Sequence, residues 1–426
     1  MRIAFVAPFG LRAKGTTRAR ALPLARALAA RGHTTALFIP PYDSPEDSGK
    51  RWEVDGVDVI NMVLPSFETG SGAFRYVRLS WRVLGTLRRW KPDLVHIFKP
   101  KGPSGLVGTA MWLMGQKENP ADHRTSGQGH RPSVVVDSDD WEGPGGWNDD
   151  PRAGYSGLQR RFFAWQERYG LSHAHAWTVT STCLRERAVG FGADPARVLI
   201  LPNGVQATSD LRPTISGSTG LGDTHQPSAI LYTRFAGVRA QDVAAIWDRV
   251  RKVIPAARLT VVGRGLAGEE EALRNMPGID VLGWVEPGEL PARLAAGRLA
   301  VVPWADTHSN RARHSAKVLE LMEAGLPIVA YAVGELPATL GDAGVLIEPG
   351  DEEAFAGAIV ALCGDDERAR RLGARARRRV LDEYTWDKLA EIAVEAYRAA
   401  GTNPDDTSPS RRELGERGAT RKTTSD

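Results

Sequence analysis

The stretch "SAKVLELMEAGLPIVAY", Ser315 to Tyr331, reads as a short helix that stops at a glycine and passes into an apolar strand. Just upstream, "LAVVPWADTHSNRARH" supplies another apolar strand and a long polar loop. Strand, loop, helix, strand is the order of a parallel βαβ unit. The helix therefore starts at the carboxyl edge of a sheet, where open α/β sheets bind their ligands. Backbone N–H groups in its first turn, around Ser315, Ala316 and Lys317, lack intrahelical partners and favour an anion. Lys317 and Glu320 lie one turn apart on one face. Such a face suits a nucleotide diphosphate: the N–H groups and Lys317 meet the phosphates, and Glu320 accepts from the vicinal hydroxyls of a ribose.

The same rhythm runs through the chain. "RIAFVAP", "TTALFIP", "LVHIF", "SVVVDSD" and "AWTVTS" alternate with helical patterns in the first half, and "AILYTR", "RLTVVG", "IDVLGW", "PIVAYA" and "GVLIEP" in the second. Two doubly wound α/β domains are expected, since 426 residues exceed one ordinary core. Boundaries fall at 1–205 for the first domain, 206–228 for a Ser/Thr/Gly/Pro-rich linker and 229–384 for the second. A final helix over about 385–401 precedes a polar tail, 402–426, expected to be disordered. The polar run "GQKENPADHRTSGQGHRP" reads as a surface insertion.

Composition sets the class. Hydrophobic residues make up 42% and charged residues 25%, which is globular, and no apolar run approaches the ~18 residues a membrane span needs. "MRIAFVAPFG" reads as a first strand rather than a leader. Two cysteines, Cys183 and Cys363, imply neither a disulfide framework nor a zinc site, so a reducing cytoplasm is expected. A net charge of +4 without an aromatic-rich basic signature argues against nucleic acid.

Other strand ends carry candidate chemistry. After the first strand, Lys14 and Gly15 precede a helix that Thr16 or Thr17 can cap. This is an anion-friendly turn, although glycine-rich βα turns are also ordinary packing. No G-x-G-x-x-G follows the strand, which argues against a dehydrogenase. Arg234, directly after "AILYT", and Arg239, at the start of the next helix, can neutralise a diphosphate through forked hydrogen bonds; the alternative is a pair of solvated arginines. Asp137, Asp139 and Asp140 end "VVVDSDD". A metal reading of these carboxylates is discounted, leaving Asp139 and Asp140 either to face a ligand or to cap a turn. His96, in "LVHIF", is either a site or a core histidine.

In order along the chain, "LARALAARGH", "KPDLVHIF", "TVTSTCLRERAVGFGADPARVLILPNGV", "RLTVVGRG", "VLGWVEPGELPARLAAGRLAVVPW", "KVLELMEAGLPIVA" and "GDAGVLIEPGDEEAFAGAI" resemble the retaining nucleotide-sugar glycosyltransferases of glycosyltransferase family 4. The resemblance covers most of the chain. It implies the GT-B fold of two facing Rossmann-like domains, the first binding the acceptor and the second the nucleotide-sugar donor, with the final helix crossing back to the first. It also implies metal-independent, front-face transfer and no cofactor beyond the donor substrate. Arg234 and Arg239 take the places of the family's Arg and Lys on the donor diphosphate. Glu320 takes that of the second Glu of its E-x7-E motif, on the ribose.

The chain departs from the pattern in three places. Ala312 stands where the first Glu would touch the donor sugar, Thr233 where a Gly precedes the Arg, and Arg239 where a Lys is usual. His308, Asn310 and His314 are candidates to replace the missing carboxylate, and Asp139 or Asp140 to face the sugar or acceptor. The resemblance implies an acceptor that is a sugar or glycan, a lipid-linked molecule or a small molecule. The rivals are a nucleotide-sugar epimerase of the same fold and a non-catalytic binder. Finally, Arg75, Arg78, Arg82 and Arg89 recur along one side of "AFRYVRLSWRVLGTLRRW", beside Tyr76, Leu79, Val83, Leu87 and Trp90. They form either a peripheral contact with the inner membrane face or the wet side of a sheet-covering helix.

Overall fold

The structure, a computed structural model, describes residues 1–12, 15–42, 44–65, 72–115, 131–206 and 227–403. Lys14, nearly all of the 206–228 linker, most of the polar insertion and nearly all of the 402–426 tail lie outside them.

Within the described residues the first sheet comprises β1 (Arg2–Val6), β2 (Thr34–Ile39), β3 (Arg51–Val54), β4 (Val57–Asn61), β5 (Leu94–Phe98), β6 (Ser133–Ser138), β7 (Ala176–Val179) and β8 (Val198–Ile200). Their order is β3-β4-β2-β1-β5-β6-β7-β8, parallel except for the β3–β4 hairpin at one edge. Buried on both faces, the inner strands read as near-continuous apolar runs, such as "LVHIF" with only His96 polar. One face is covered by α1 (Leu22–Ala30), through Leu24 and Leu28. The other is covered by α2 (Gly72–Trp90), α3 (Pro103–Gly115), α4 (Gly157–Ser172) and α5 (Thr182–Gly190), through Leu79, Val83, Val107, Leu171 and Leu184.

The second sheet holds β9 (Ser228–Tyr232), β10 (Arg258–Val262), β11 (Ile279–Gly283), β12 (Leu299–Val302), β13 (Ile328–Tyr331) and β14 (Gly344–Ile347) in the order β11-β10-β9-β12-β13-β14. All its pairings are parallel. Around it pack α6 (Ala240–Val253), α7 (Leu290–Ala295), α8 (His308–Ala312), α9 (Ala316–Glu323), α10 (Leu336–Leu340), α11 (Glu352–Gly364) and α12 (Asp366–Glu383). Val243, Trp247, Leu319, Phe355 and Val380 carry their contacts into one core.

The last helix, α13 (Trp386–Ala399), returns to the first domain and buries Trp386, Leu389, Ala393 and Tyr397 beside α1. The return is pinned where Val205 N–H donates to the Tyr384 carbonyl at 2.8 Å and Trp386 N–H to the Val205 carbonyl at 3.1 Å. Gly204 is required there: a Cβ would stand 2.8 Å from Leu389 Cδ1 and 2.9 Å from the Tyr384 carbonyl.

Candidate functional site

The carboxyl ends of both sheets face one cleft, and the second-domain wall is built from two loops. After β9, Thr233 Oγ1 accepts from the Phe235 N–H at 2.9 Å, and Phe235 takes the left-handed φ of +56° with its ring 2% exposed in the core. A bulky residue there is strained, and core packing holds it. The tight turn presents Arg234 to solvent between two anchored neighbours. Thr233, in place of a glycine, thus supplies the bond that closes the turn. Arg239 is the N-cap of α6, mostly exposed, its Nε donating to Asp242 Oδ2 at 2.7 Å.

The second loop leads into α9. Ser315 is its N-cap but places no side-chain oxygen on the helix, so the first-turn N–H groups of Ala316 and Lys317 carry no side-chain cap. Lys317 Nζ lies 5.3 Å from the centroid of the Tyr232 ring. The Tyr232 phenol hydrogen-bonds to Glu320, and burial, the Glu320 charge and that bond push it well above its usual range against the opposing Arg234. Tyr232, at the end of β9, had no sequence signal beyond its place in an apolar strand.

Two expectations for this loop fail. Asn310 is fully buried and donates to the Gly237 carbonyl at 2.9 Å and the Ala305 carbonyl at 2.7 Å, tying the two loops together instead of facing a ligand. Gly237, at φ +73°, has no room for a Cβ, which would stand 2.3 Å from the Asn310 amide. His314 is 5% exposed, bonded to Asn203 and Thr339. His308 stays exposed, its ring tilted 5.0 Å from that of Trp141 across the cleft. Ala312 is 0% exposed and packs into the first domain's core, while its carbonyl accepts from Ser181 Oγ at 2.6 Å. A carboxylate at that position would be buried in an apolar interface at high cost.

The first-domain wall is a charge cluster. Lys99 Nζ donates to Asp140 at 2.5 Å and lies 3.0 Å from Glu142 and 3.5 Å from Asp139. Lys101 Nζ bonds Glu142 at 3.0 Å and Asn148 at 2.6 Å. Although burial opposes its charge, the three carboxylates hold the Lys99 ammonium well above its usual range. Burial, with Asp139 and Glu142 adding and Lys99 opposing, raises the Asp140 carboxyl. Across the cleft, Arg313 stacks 4.2 Å from the Trp304 ring centroid and donates to the Ala236 carbonyl at 2.7 Å. Burial lowers its guanidinium to about 10, with Asp140 opposing. Lys99, Lys101, Glu142 and Arg313 escaped the sequence reading. "KPK" and "DDWE" do follow adjacent strands, β5 and β6, and that adjacency was the available signal.

Three more first-domain expectations are corrected or refined. His96 sits mid-strand in β5, fully buried, with Nδ1 3.0 Å from Tyr397 Oη and Nε2 3.1 Å from Thr178 Oγ1. Burial, then the Arg20 charge, keeps it neutral, and it is a core histidine under α13. Asp137 is sealed against Arg20, which donates to both its oxygens at 2.8 and 2.6 Å. Thr16 and Thr17 do not cap the first helix: Thr16 Oγ1 donates to Asp139 at 2.5 Å and Thr17 Oγ1 to the Phe9 carbonyl at 2.9 Å. Half-buried Gly15 thereby sits on the first-domain wall next to Asp139, with its carbonyl accepting from Ala19 N–H at 2.9 Å. Beside Glu142 a pocket of 590 Å³ is lined by Pro144, Asp149, Leu158 and Arg160 among others. Among the described residues no group of three His, Cys, Asp or Glu side chains is arranged to hold a metal ion.

Comparison with known proteins agrees with this architecture. Residues 15–204 match the glycosyl transferase 4-like domain and residues 231–365 the glycosyl transferases group 1 domain, together most of the chain. The chain is 26% identical to phosphatidyl-myo-inositol mannosyltransferase of Mycobacterium leprae, over 95% of this chain and 98% of that one. It is 29% identical to D-inositol 3-phosphate glycosyltransferase of Rhodococcus erythropolis, over 52% of this chain and 54% of that one. In three dimensions it is similar to sucrose-phosphate synthase of Thermosynechococcus elongatus, with TM-score 0.67, 20% identity and coverage of 92% and 98%. It is also similar to HepE of Anabaena in complex with UDP-glucose, with TM-score 0.63, 15% identity and coverage of 93% and 100%. None of these relatives is named as an epimerase or a simple binder. Two facing parallel-sheet domains, each matched by its own family model, make this chain a member of the group 1 glycosyltransferases of the GT-B fold.

Proposed function

We propose that the chain is a retaining, metal-independent glycosyltransferase that moves a sugar from a nucleoside diphosphate to an acceptor held by the first-domain wall. The observation that carries this reading is the convergence of Arg234, Lys317, Glu320 and the uncapped start of α9 at one edge of the second sheet. The diphosphate lies over the α9 N-terminus, neutralised by Arg234 and by Arg239 once it turns from Asp242, while Glu320 accepts from the ribose. In front-face transfer the leaving phosphate takes the acceptor proton, so no protein nucleophile is needed and the chain supplies position and charge stabilisation. Asp140, fixed by Lys99, faces the transferred sugar opposite Arg313, and closure of the cleft excludes water.

The acceptor is lipid-linked and enters along the first domain. The name of the Mycobacterium leprae relative supports this, as does α2. Leu79, Val83 and Leu87 of α2 face the core, yet Phe74, Val77 and Trp81 are 51%, 43% and 62% exposed beside Arg75, Arg78 and Arg82, on a helix without an acidic residue. Exposed apolar side chains flanked by arginines suit an anionic lipid surface. No helix among the described residues is long and apolar enough to cross a membrane.

The test is product analysis after incubation with UDP-, GDP- and ADP-sugars and candidate acceptors. Sugar transfer with the anomeric configuration kept supports the reading. Inverted product, altered sugar or unchanged donors throughout would overturn it. For the lipid, co-sedimentation with anionic vesicles should weaken with salt and fall further in R78E/R82E; wild-type protein left in the supernatant at low salt would point to a soluble acceptor.

A further inference from the structure

We infer that Arg313 is a positioning residue that holds the Arg234 turn in the shape that meets the donor diphosphate. The inference rests on the reading of Arg234 given above. The turn after β9 is costly backbone. Phe235 is left-handed at φ +56° without being a glycine, Gly237 follows at φ +73°, and strain of this kind persists only where the surroundings over-determine it. The segment after β12 supplies that restraint. Arg313 Nη2 donates to the Ala236 carbonyl at 2.7 Å, between the two left-handed residues. The Gly237 carbonyl accepts from Asn310 Nδ2 at 2.9 Å and from the Ala305 N–H at 3.0 Å.

Arg313 is itself held at both ends. It sits in extended backbone just after α8, at φ −96° and ψ 148°. The first domain fixes the carbonyls of its two neighbours: that of Ala312 accepts from Ser181 Oγ at 2.6 Å, and that of His314 from Asn203 Nδ2 at 2.6 Å. Its guanidinium lies 4.2 Å from the Trp304 ring centroid, which directs the planar fork back to the second-domain turn. Stability does not account for this arrangement. Arg313 Nε is buried without a hydrogen-bond partner among the described residues, and a buried charge with an unmet donor carries a cost that an apolar side chain on Trp304 would not. Position does account for it. Arg234 can donate to a phosphate oxygen only from hydrogen-bond distance, and a displacement of about 1 Å weakens such a contact severely. A turn ordered before the ligand arrives does not have to be ordered by it.

Substitution separates position from packing. Arg313→Met keeps an unbranched side chain on Trp304 and removes both the charge and the donor to Ala236. Thermal melting of the full chain should show this variant folded, with a midpoint equal to or above that of wild type. UDP and GDP, titrated by calorimetry, are the probes. For whichever binds, Arg313→Met should weaken affinity roughly tenfold, the share of a charge-assisted contact that a displaced Arg234 forfeits. Because the loss acts through Arg234, it should vanish in the R234A background, where R234A/R313M binds as R234A does. Losses that add in the double variant would show Arg313 acting apart from Arg234, and unchanged affinity in folded Arg313→Met would show the turn holding without it; either result overturns the inference. So does a variant that unfolds or melts well below wild type, which would make Arg313 a structural residue. If neither diphosphate binds wild type, or R234A leaves affinity unchanged, it is the donor-site reading itself that fails.

Discussion

His314 makes stability depend on pH in a calculable way. It sits where the loop after α8 meets the first domain, stacked 5.5 Å from the Tyr384 ring. Its Nδ1 accepts from the Asn203 N–H at 3.2 Å, so the neutral ring carries its proton on Nε2, 3.1 Å from Thr339 Oγ1. A second proton would point Nδ1–H at an N–H donor inside a buried site. Burial, reinforced by the Arg20 charge, lowers its pKa from 6.5 to about 3. The folded value lies below the unfolded one, so the stability linked to this ring is complete above about pH 6.5 and is lost as pH falls toward about 3. Each pH unit in that window removes about 1.4 kcal/mol, so moving from neutral to about pH 5 removes about 2 kcal/mol through His314 alone. His96, also buried and lowered, acts in the same direction. His314→Gln keeps an acceptor for Asn203 but removes the titration. Unfolding free energies from urea titrations, followed by circular dichroism and tryptophan fluorescence across about pH 5 to 7.5, should show a shallower pH slope in the variant, the difference approaching one proton toward about pH 5 and vanishing above about pH 7.5. Identical slopes in wild type and variant would refute this account of the ring.

Three further outcomes are expected. Asp137→Asn leaves Arg20 as an uncompensated charge 1% exposed and should cost about 3–5 kcal/mol in urea unfolding, with Arg20→Met/Asp137→Leu recovering much of it. Arg234→Ala should weaken nucleoside diphosphate binding by roughly 1.5–3 kcal/mol and abolish transfer; unchanged affinity in a folded variant would remove Arg234 from the site. Deleting residues from Thr402 onward should leave activity intact, whereas deleting from Tyr384 uncovers the apolar face that Trp386, Leu389 and Tyr397 fill and should destroy it; equal activity would contradict the packing of α13.

The sequence by itself determined what is local. Apolar strands and helical periods recur within a few residues, so two parallel sheets were legible, as were the positions of Arg234 in the loop after its strand and of Glu320 one turn into its helix. Tertiary structure decided what depends on partners distant in the chain. His96 looks like a site residue in "LVHIF" until Tyr397, 301 residues away, takes its ring into the core. Asn310 and His314 look available until the Gly237 carbonyl and Asn203 claim their hydrogen bonds. Ala312 looks like a loss until Ser181 seals its backbone against the first domain. Lys99 meets Asp140 from 41 residues away, and Tyr232 meets Glu320 only because β9 ends beside α9. Periodicity records which face of an element is apolar. Which polar group ends up against which is set by how the elements pack, because a buried donor or charge is tolerated only where the folded chain brings it a partner.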